Sequence, residues 1–205
     1  WHYWGFMRWE PDLSPCMTRR FRRWLRDRYS DDAGLAAAWH DDDARIDTAT
    51  VPDTKERTRT SGVFRDPMLH RRTIDYYRCQ HELIPELIVG FSRTVKAVWP
   101  VPIATGAFYG YYFSLFNRQA AGGHLEIDRL LAAPEVDFLC GPQVYYPDDQ
   151  EPGMPYRSRA LLASVRHHGM LWLDEYDQEP VRTFPYLGGM TNNREAYEIN
   201  VRRNR

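Results

Sequence analysis

The chain is poor in cysteine. Its 205 residues include three, Cys16, Cys79 and Cys140, which are odd in number and widely spaced and include no CxxC pair. This pattern argues against a disulfide framework and gives no support to a zinc or redox site, so we expect no metal and no cofactor. Unpaired thiols are typical of a reducing compartment, which favours the cytoplasm without fixing the localisation.

Neither sign of charge is in excess. Lysine and arginine number 27 against 28 aspartates and glutamates, which gives a formal net charge of -1. So weak a net charge does not favour nucleic acid or an anionic membrane as a partner. An arginine-rich run between Arg19 and Arg28 is offset by Asp27, Asp31 and Asp32, and its alternation with apolar residues indicates a solvated helix face.

Long hydrophobic runs and nucleotide-binding motifs are also missing. No apolar run approaches the roughly 20 residues needed to span a bilayer, and none follows a basic segment as in a signal peptide. We therefore expect a soluble protein without a membrane partner. Neither GxGxxG nor GxxxxGK[ST] follows a strand-like segment, so a nucleotide-binding doubly wound sheet has no local support.

Aromatic residues, in contrast, are abundant. They make up 14% of the chain and include seven tryptophans and 13 tyrosines. Flat apolar rings with polar edges suit sugar-binding clefts, although packing in the core is the commoner role at any one position. Trp1 belongs to an aromatic N-terminal cluster that we expect to line or cover a cleft. Tyr109, Phe108 and Tyr111 are further candidates for stacking on sugar rings, whereas core packing is the stronger expectation for Trp172.

Short apolar runs alternate with helical patterns along the chain. Ser14-Pro15 is typical of a helix start, and a long amphipathic helix is predicted to begin near Asp66-Pro67. Strand-like runs follow at about 103–109, 136–140 and 171–175, with helical patterns between them. Such alternation favours a parallel sheet or barrel of βα units, in the α/β class. Because three strands are too few to close a barrel, the sequence predicts a segment of a larger barrel.

The last of these runs ends in carboxylates. In α/β folds the residues just beyond the carboxyl ends of parallel strands line the active site, which makes Glu175 the first candidate for catalysis. Side-chain alternation along a strand turns Asp174 to the opposite face. Asp177 shares the face of Glu175 and is a candidate ligand of a substrate hydroxyl. Tyr145 and Tyr146 follow the preceding run. Either tyrosine could donate a hydrogen bond to Glu175, and a purely structural role fits them equally well.

Several segments, taken in order, resemble the family 42-type β-galactosidases and related glycoside hydrolases of the (β/α)8 superfamily. The most specific is 21–29, which reads Phe-Arg-Arg-Trp-Leu-Arg-Asp-Arg-Tyr, followed by Ala38-Trp39. The others gain weight from their order and are Thr105–Tyr111, Gly123-His124, Pro134–Leu139 and Leu171–Glu175.

The resemblance implies a retaining glycosidase. It makes residues 1–205 one partial catalytic domain, from just after barrel strand four to the helix after strand seven. Glu175 then matches the nucleophile that ends strand seven, while the acid/base glutamate would fall directly before Trp1. A retaining enzyme needs both carboxyl groups, so we expect the chain as given to be inactive alone.

The expected substrate is a carbohydrate, a β-galactoside or a related β-linked sugar. Candidate substrate contacts are Tyr145, Tyr146, Asp177, Tyr109 and Trp1. The competing hypothesis is a non-catalytic carbohydrate-binding or scaffold relative that has lost the acid. Homo-oligomerisation of the full-length protein stays open.

Overall fold

The computed structural model describes residues 12–59, 64–112, 122–144 and 158–175. Six helices and three strands lie within these ranges. Two compact units share these residues: 12–87 with 122–126, and 88–112 with 127–144 and 158–175. None of the described helices is long and apolar enough to cross a membrane. The elements in chain order are α1 (Pro15–Tyr29), α2 (Asp32–Trp39), α3 (Thr54–Thr58), α4 (Pro67–Val98), β1 (Gly106–Phe108), α5 (Ile127–Leu131), β2 (Phe138–Pro142), α6 (Leu162–His167) and β3 (Leu171–Glu175).

Helix α1 confirms the start signal read from the sequence. The Ser14 hydroxyl accepts a hydrogen bond from the Met17 amide at 3.1 Å, and proline occupies the first turn, where its missing N–H is not needed. One face of the helix is buried, through Met17, Phe21, Trp24 and Leu25. The arginines of the other face are largely exposed, as predicted, and Arg26 pairs there with Asp47.

A buried carboxylate joins three helices of the first unit. Asp75 of α4 is fully buried and accepts hydrogen bonds from the Tyr29 hydroxyl at 2.7 Å and the Trp39 indole at 2.8 Å. Arg71 Nε donates to its other oxygen at 3.1 Å. Burial and the hydrogen bond to Asp75 raise the pKa of the Tyr29 hydroxyl. Because every side of this carboxylate is occupied by a donor, its burial is compensated.

Two histidines are buried in the same unit. His81 is buried and accepts a hydrogen bond from the Leu125 amide on Nδ1 at 3.2 Å. His124 lies close to it, and burial together with the charge of His81 lowers the pKa of His124 to about 3. His124 is therefore neutral at physiological pH.

The second unit contains a parallel sheet in the order β1-β2-β3. The register pairs Ala107 with Leu139 and Leu139 with Trp172. Since paired residues of parallel strands point to the same side, Ala107, Leu139 and Trp172 share one face of the sheet. The next residue of each strand, Phe108, Cys140 and Leu173, belongs to the other face.

The prediction of a barrel segment is wrong. The described residues form an open sheet of three parallel strands, and residues 12–87 with 122–126 form a separate compact unit in which only helices are assigned. The alternation of helices and strands after α4 was read correctly, but it is shared by open sheets and barrels. Closure depends on strand number, tilt and stagger, none of which a local apolar pattern reports.

We predict that His124 makes the fold sensitive to acid. Its folded-state pKa of about 3 lies below the unfolded value of roughly 6.5, so the unfolded chain binds the extra proton as the pH falls between these values. The free energy of unfolding should then decrease with falling pH, by up to about 1.4 kcal/mol per pH unit from this group. In urea titrations between about pH 7 and 4, His124→Asn should reduce that slope.

The matched control is His40→Asn, at an exposed position that ends α2 in the left-handed region, with φ of 53°. Asparagine tolerates this conformation, so His40→Asn removes an exposed imidazole without straining the end of α2 and gives the reference slope. Equal slopes for His124→Asn and the unaltered chain would contradict the prediction.

Candidate functional site

The carboxyl ends of the three strands lie along one edge of the sheet. The ladder continues one residue past β1, where the Tyr109 amide donates to the Cys140 carbonyl at 2.9 Å. Strand β2 is followed by Gln143, and β3 ends with Asp174 paired to Gly141 and Glu175 paired to Pro142. We take this edge as the candidate site, because polar side chains at the carboxyl ends of parallel strands are placed for ligand binding.

A hydrogen-bonded network occupies one face of this edge. Gln143 is only 1% exposed, and its Nε2 donates to Asp174 Oδ2 at 2.5 Å. The Trp172 indole donates to Asp174 Oδ1 at 3.3 Å. A carboxylate can only accept, so the glutamine must turn its NH2 group toward it. Its carbonyl oxygen then points elsewhere, and Oε1 of Gln143 is buried without a hydrogen-bond partner.

The position of Trp172 depends on two glycines. A Cβ atom on Gly110 would lie 2.6 Å from Trp172 Cη2, and one on Gly141 would lie 3.0 Å from the same atom. A contact of 2.6 Å does not occur between real side chains, and one of 3.0 Å is tighter than almost all of them, so the indole can lie this close because both positions are glycine. Trp172 packs against these two glycines although it is only half-buried, and its Nε1 is thereby brought to Asp174.

Glu175 lies on the opposite, open face of the sheet. By strand alternation and register it shares this face with Phe108, Cys140 and Leu173. Phe108 is 50% exposed and Leu173 is 46% exposed. Burial raises the pKa of the Cys140 thiol, and the charges of Glu175 and Asp174 raise it further. The carboxylate of Glu175 thus adjoins exposed apolar side chains, and Asp174 points to the other face as the alternation predicts.

The structure separates the predicted site residues. Tyr109 is wholly buried, with its ring centroid 6.0 Å from that of Tyr112, so its ring offers no free face for stacking on a sugar. Phe108 and Glu175 are accessible on the open face. The other predicted substrate contacts, Trp1, Tyr145, Tyr146 and Asp177, lie outside the described residues.

Gln143 was missed by the sequence analysis. The available signal was a polar amide directly after an apolar strand, but its partner Asp174 is 31 residues away and could not be identified from spacing.

The described residues contain no group of three or more His, Cys, Asp or Glu placed to hold a metal ion. This edge of the sheet presents the carboxylate of Glu175 on the open apolar face and the oriented amide of Gln143 on the opposite face. No protein-family model, no curated protein and no solved structure matches the chain. Function must therefore be argued from the site itself.

We predict that Gly110→Ala destabilises the second unit. The new methyl group would overlap Trp172 Cη2 and displace the indole from Asp174, at a cost of about 1–3 kcal/mol in the free energy of unfolding. Gly90→Ala is the control, because nothing lies within 4 Å of a Cβ at that position inside α4. It should raise stability by about 0.5–1 kcal/mol through helix propensity. Urea unfolding measures both, and a stability of Gly110→Ala equal to that of the unaltered chain would refute the overlap.

We also predict a pH-dependent defect in Gln143→Glu. A second carboxylate beside Asp174 places like charges together at a buried position, which raises the pKa of the pair. A raised folded-state pKa gives stability that is present at acid pH and lost as the pH rises. We expect a loss of about 2 kcal/mol at pH 7 that shrinks toward pH 4.

The double variant Gln143→Glu with Asp174→Asn restores one amide and one carboxylate with their positions exchanged. It should recover most of the stability lost at pH 7. If the single and double variants lose the same amount at every pH, repulsion between the two side chains is not the cause.

Proposed function

We propose that the chain is part of a retaining glycoside hydrolase acting on β-galactosides or related β-linked sugars, with Glu175 as the nucleophile. The observation that carries the proposal is the position of Glu175, at the carboxyl end of a parallel strand and on the open face of the sheet. The sequence resemblance to the family 42-type β-galactosidases supplies the substrate class. The barrel of that family forms no part of the argument.

The surroundings of Glu175 suit a sugar. A pyranose ring has apolar C–H patches and a hydroxyl rim, so its sites combine an apolar platform with a few polar groups. The open face offers the exposed ring of Phe108 and the exposed side chain of Leu173 on the same side as the carboxylate. These neighbours support a carbohydrate over a small charged substrate.

The reaction assigns one chemical task to Glu175. In a retaining enzyme an ionised carboxylate attacks the anomeric carbon as the bond to the leaving oxygen breaks, and a second, protonated carboxyl group donates to that oxygen. The two carboxyl groups lie about 5–5.5 Å apart. Asp174 does not suit the second role, because it faces the other side of the sheet and both its oxygens accept hydrogen bonds.

A non-catalytic carbohydrate-binding protein is the second candidate. The opposite orientations of Asp174 and Glu175 favour it, since two adjacent carboxylates do not converge on one sugar. Both candidates predict sugar binding at the open face, and they differ in whether Glu175 forms a bond to the sugar.

Covalent trapping distinguishes them. A 2,4-dinitrophenyl 2-deoxy-2-fluoro-β-galactoside has a leaving group that departs as a stable phenolate, so attack by the nucleophile requires no acid. Glu175 should displace the dinitrophenolate and form an ester with the anomeric carbon, which the fluorine makes slow to hydrolyse. We expect intact-mass analysis to show one fluorosugar per chain, and peptide mapping to locate it at Glu175.

The control pair is Glu175→Gln and Asp174→Asn. The first variant should lose the label, and the second should keep it, because Asp174 lies on the other face. Labelling at another carboxylate would overturn the assignment of Glu175. Galactoside binding without any label would support the non-catalytic alternative.

A further inference from the structure

A buried arginine in the first unit forms no ion pair with an acidic side chain among the described residues. Arg57 of α3 is 1% exposed. Its Nε donates to the Tyr77 hydroxyl at a long 3.3 Å, and its guanidinium carbon lies 5.0 Å from the ring centroid of Tyr76 and 5.1 Å from that of Tyr77. Its Nη1 is buried with no hydrogen-bond partner.

A second guanidinium approaches the same ring. The guanidinium carbon of Arg65 lies 4.9 Å from the centroid of Tyr77, and its Nη2 donates to the Arg57 carbonyl at 2.6 Å. Its Nε is also buried and has no hydrogen-bond partner. None of the ion pairs among the described residues includes Arg57 or Arg65. Among the described residues, two cations therefore contact one tyrosine ring, and neither forms an ion pair with a carboxylate.

The nearby acidic side chains, Glu56 and Asp12, accept hydrogen bonds from other groups. Glu56 precedes Arg57 in the chain, but its carboxylate accepts from Arg72 Nη1 at 2.9 Å and from the Asp53 amide at 3.2 Å. Asp12, whose charge affects the pKa of Tyr76, accepts from the Ser14 amide at 2.9 Å. Arg20 and Arg72 of the same unit also have a buried Nε without a hydrogen-bond partner, but each forms an ion pair with a glutamate. Among the described residues, Arg57 has no such ion pair.

The chemistry of arginine determines which kind of hydrogen-bond partner Arg57 lacks. A guanidinium does not lose its proton at accessible pH, so Arg57 cannot become neutral to relieve its burial. Contact with aromatic faces compensates the lost hydration only in part. The unpaired N–H groups belong to two guanidinium groups that contact the same tyrosine ring, and a ligand with two or more acceptor oxygens can accept from more than one N–H group.

We propose that Arg57 and Arg65 form a binding site for an oxyanion, the carboxylate or phosphate group of a ligand. The site lies in the helical unit, and it is independent of the sugar site proposed at the sheet edge. The anion would accept from Arg57 Nη1 and Arg65 Nε and so neutralise the paired cations.

The test follows the arginine side chains directly. The 15N–1H resonances of the arginine Nε–H groups are recorded for the full chain during titration with inorganic phosphate and, separately, acetate. Sodium chloride at matched ionic strength is the reference. We expect a saturable shift of the Arg57 and Arg65 resonances, assigned with Arg57→Gln and Arg65→Gln, and no shift for exposed Arg23. Saturation with phosphate alone indicates a phosphoryl ligand, and saturation with acetate alone indicates a carboxylate.

Thermal unfolding gives the second measurement. The effective anion should raise the midpoint of the unaltered chain beyond the effect of chloride, and Arg57→Gln should weaken its apparent affinity by about tenfold or more. Arg72→Gln is the matched control, because Arg72 already pairs with Glu56, and it should keep the response. If neither anion differs from chloride in the spectra of the unaltered chain, or if Arg57→Gln responds like the unaltered chain, the site does not exist. The spectra decide the question even if a variant fails to fold.

Discussion

The candidate site depends on one packing constraint, the close fit of the Trp172 indole against two glycines. Gly110 and Gly141 lie on the two neighbouring chain segments at the carboxyl edge. A methyl group at Gly110 would overlap the ring, and one at Gly141 would make a tight contact with it. The fit aligns three chain segments at once and brings Nε1 of Trp172 to Asp174, which in turn orients Gln143. Glu175 lies on the opposite face of this edge. Two faces with different chemistry thus arise from one strand end.

The buried polar groups of the two units differ in which of them have hydrogen-bond partners. In the first unit, Asp75 collects donors from three helices and is fully compensated, while Arg57 is surrounded by tyrosine faces and keeps an unpaired nitrogen. In the second, Gln143 keeps an unpaired carbonyl oxygen. Buried polar groups without partners are uncommon in folded proteins, and they are informative because the fold must tolerate their cost. One lacks an acceptor and the other lacks a donor, so the two positions would attract different ligand groups.

Local features were the predictable part of this structure. The Ser14-Pro15 start of α1, the order of the three strand-like runs and the opposite directions of Asp174 and Glu175 follow from neighbouring residues, and the structure confirms them. The barrel was wrong because closure is a property of the whole sheet. The burial of Tyr109 and the pairing of Gln143 with Asp174 depend on residues distant in the chain, which no periodicity encodes. The family resemblance led to Glu175 but could not indicate which side chains surround it.

Helix α4 has a consequence for how the chain unfolds. Its 32 residues, Pro67–Val98, belong to both compact units, which divide between Leu87 and Ile88. A helix half that loses its tertiary packing is marginal in water, because most helical stability in proteins comes from packing of the apolar face. Melting of either unit therefore exposes a free helix end inside the other, and fraying can propagate across the boundary. Because the two units share this helix, we expect neither to behave as an independently excisable folding unit.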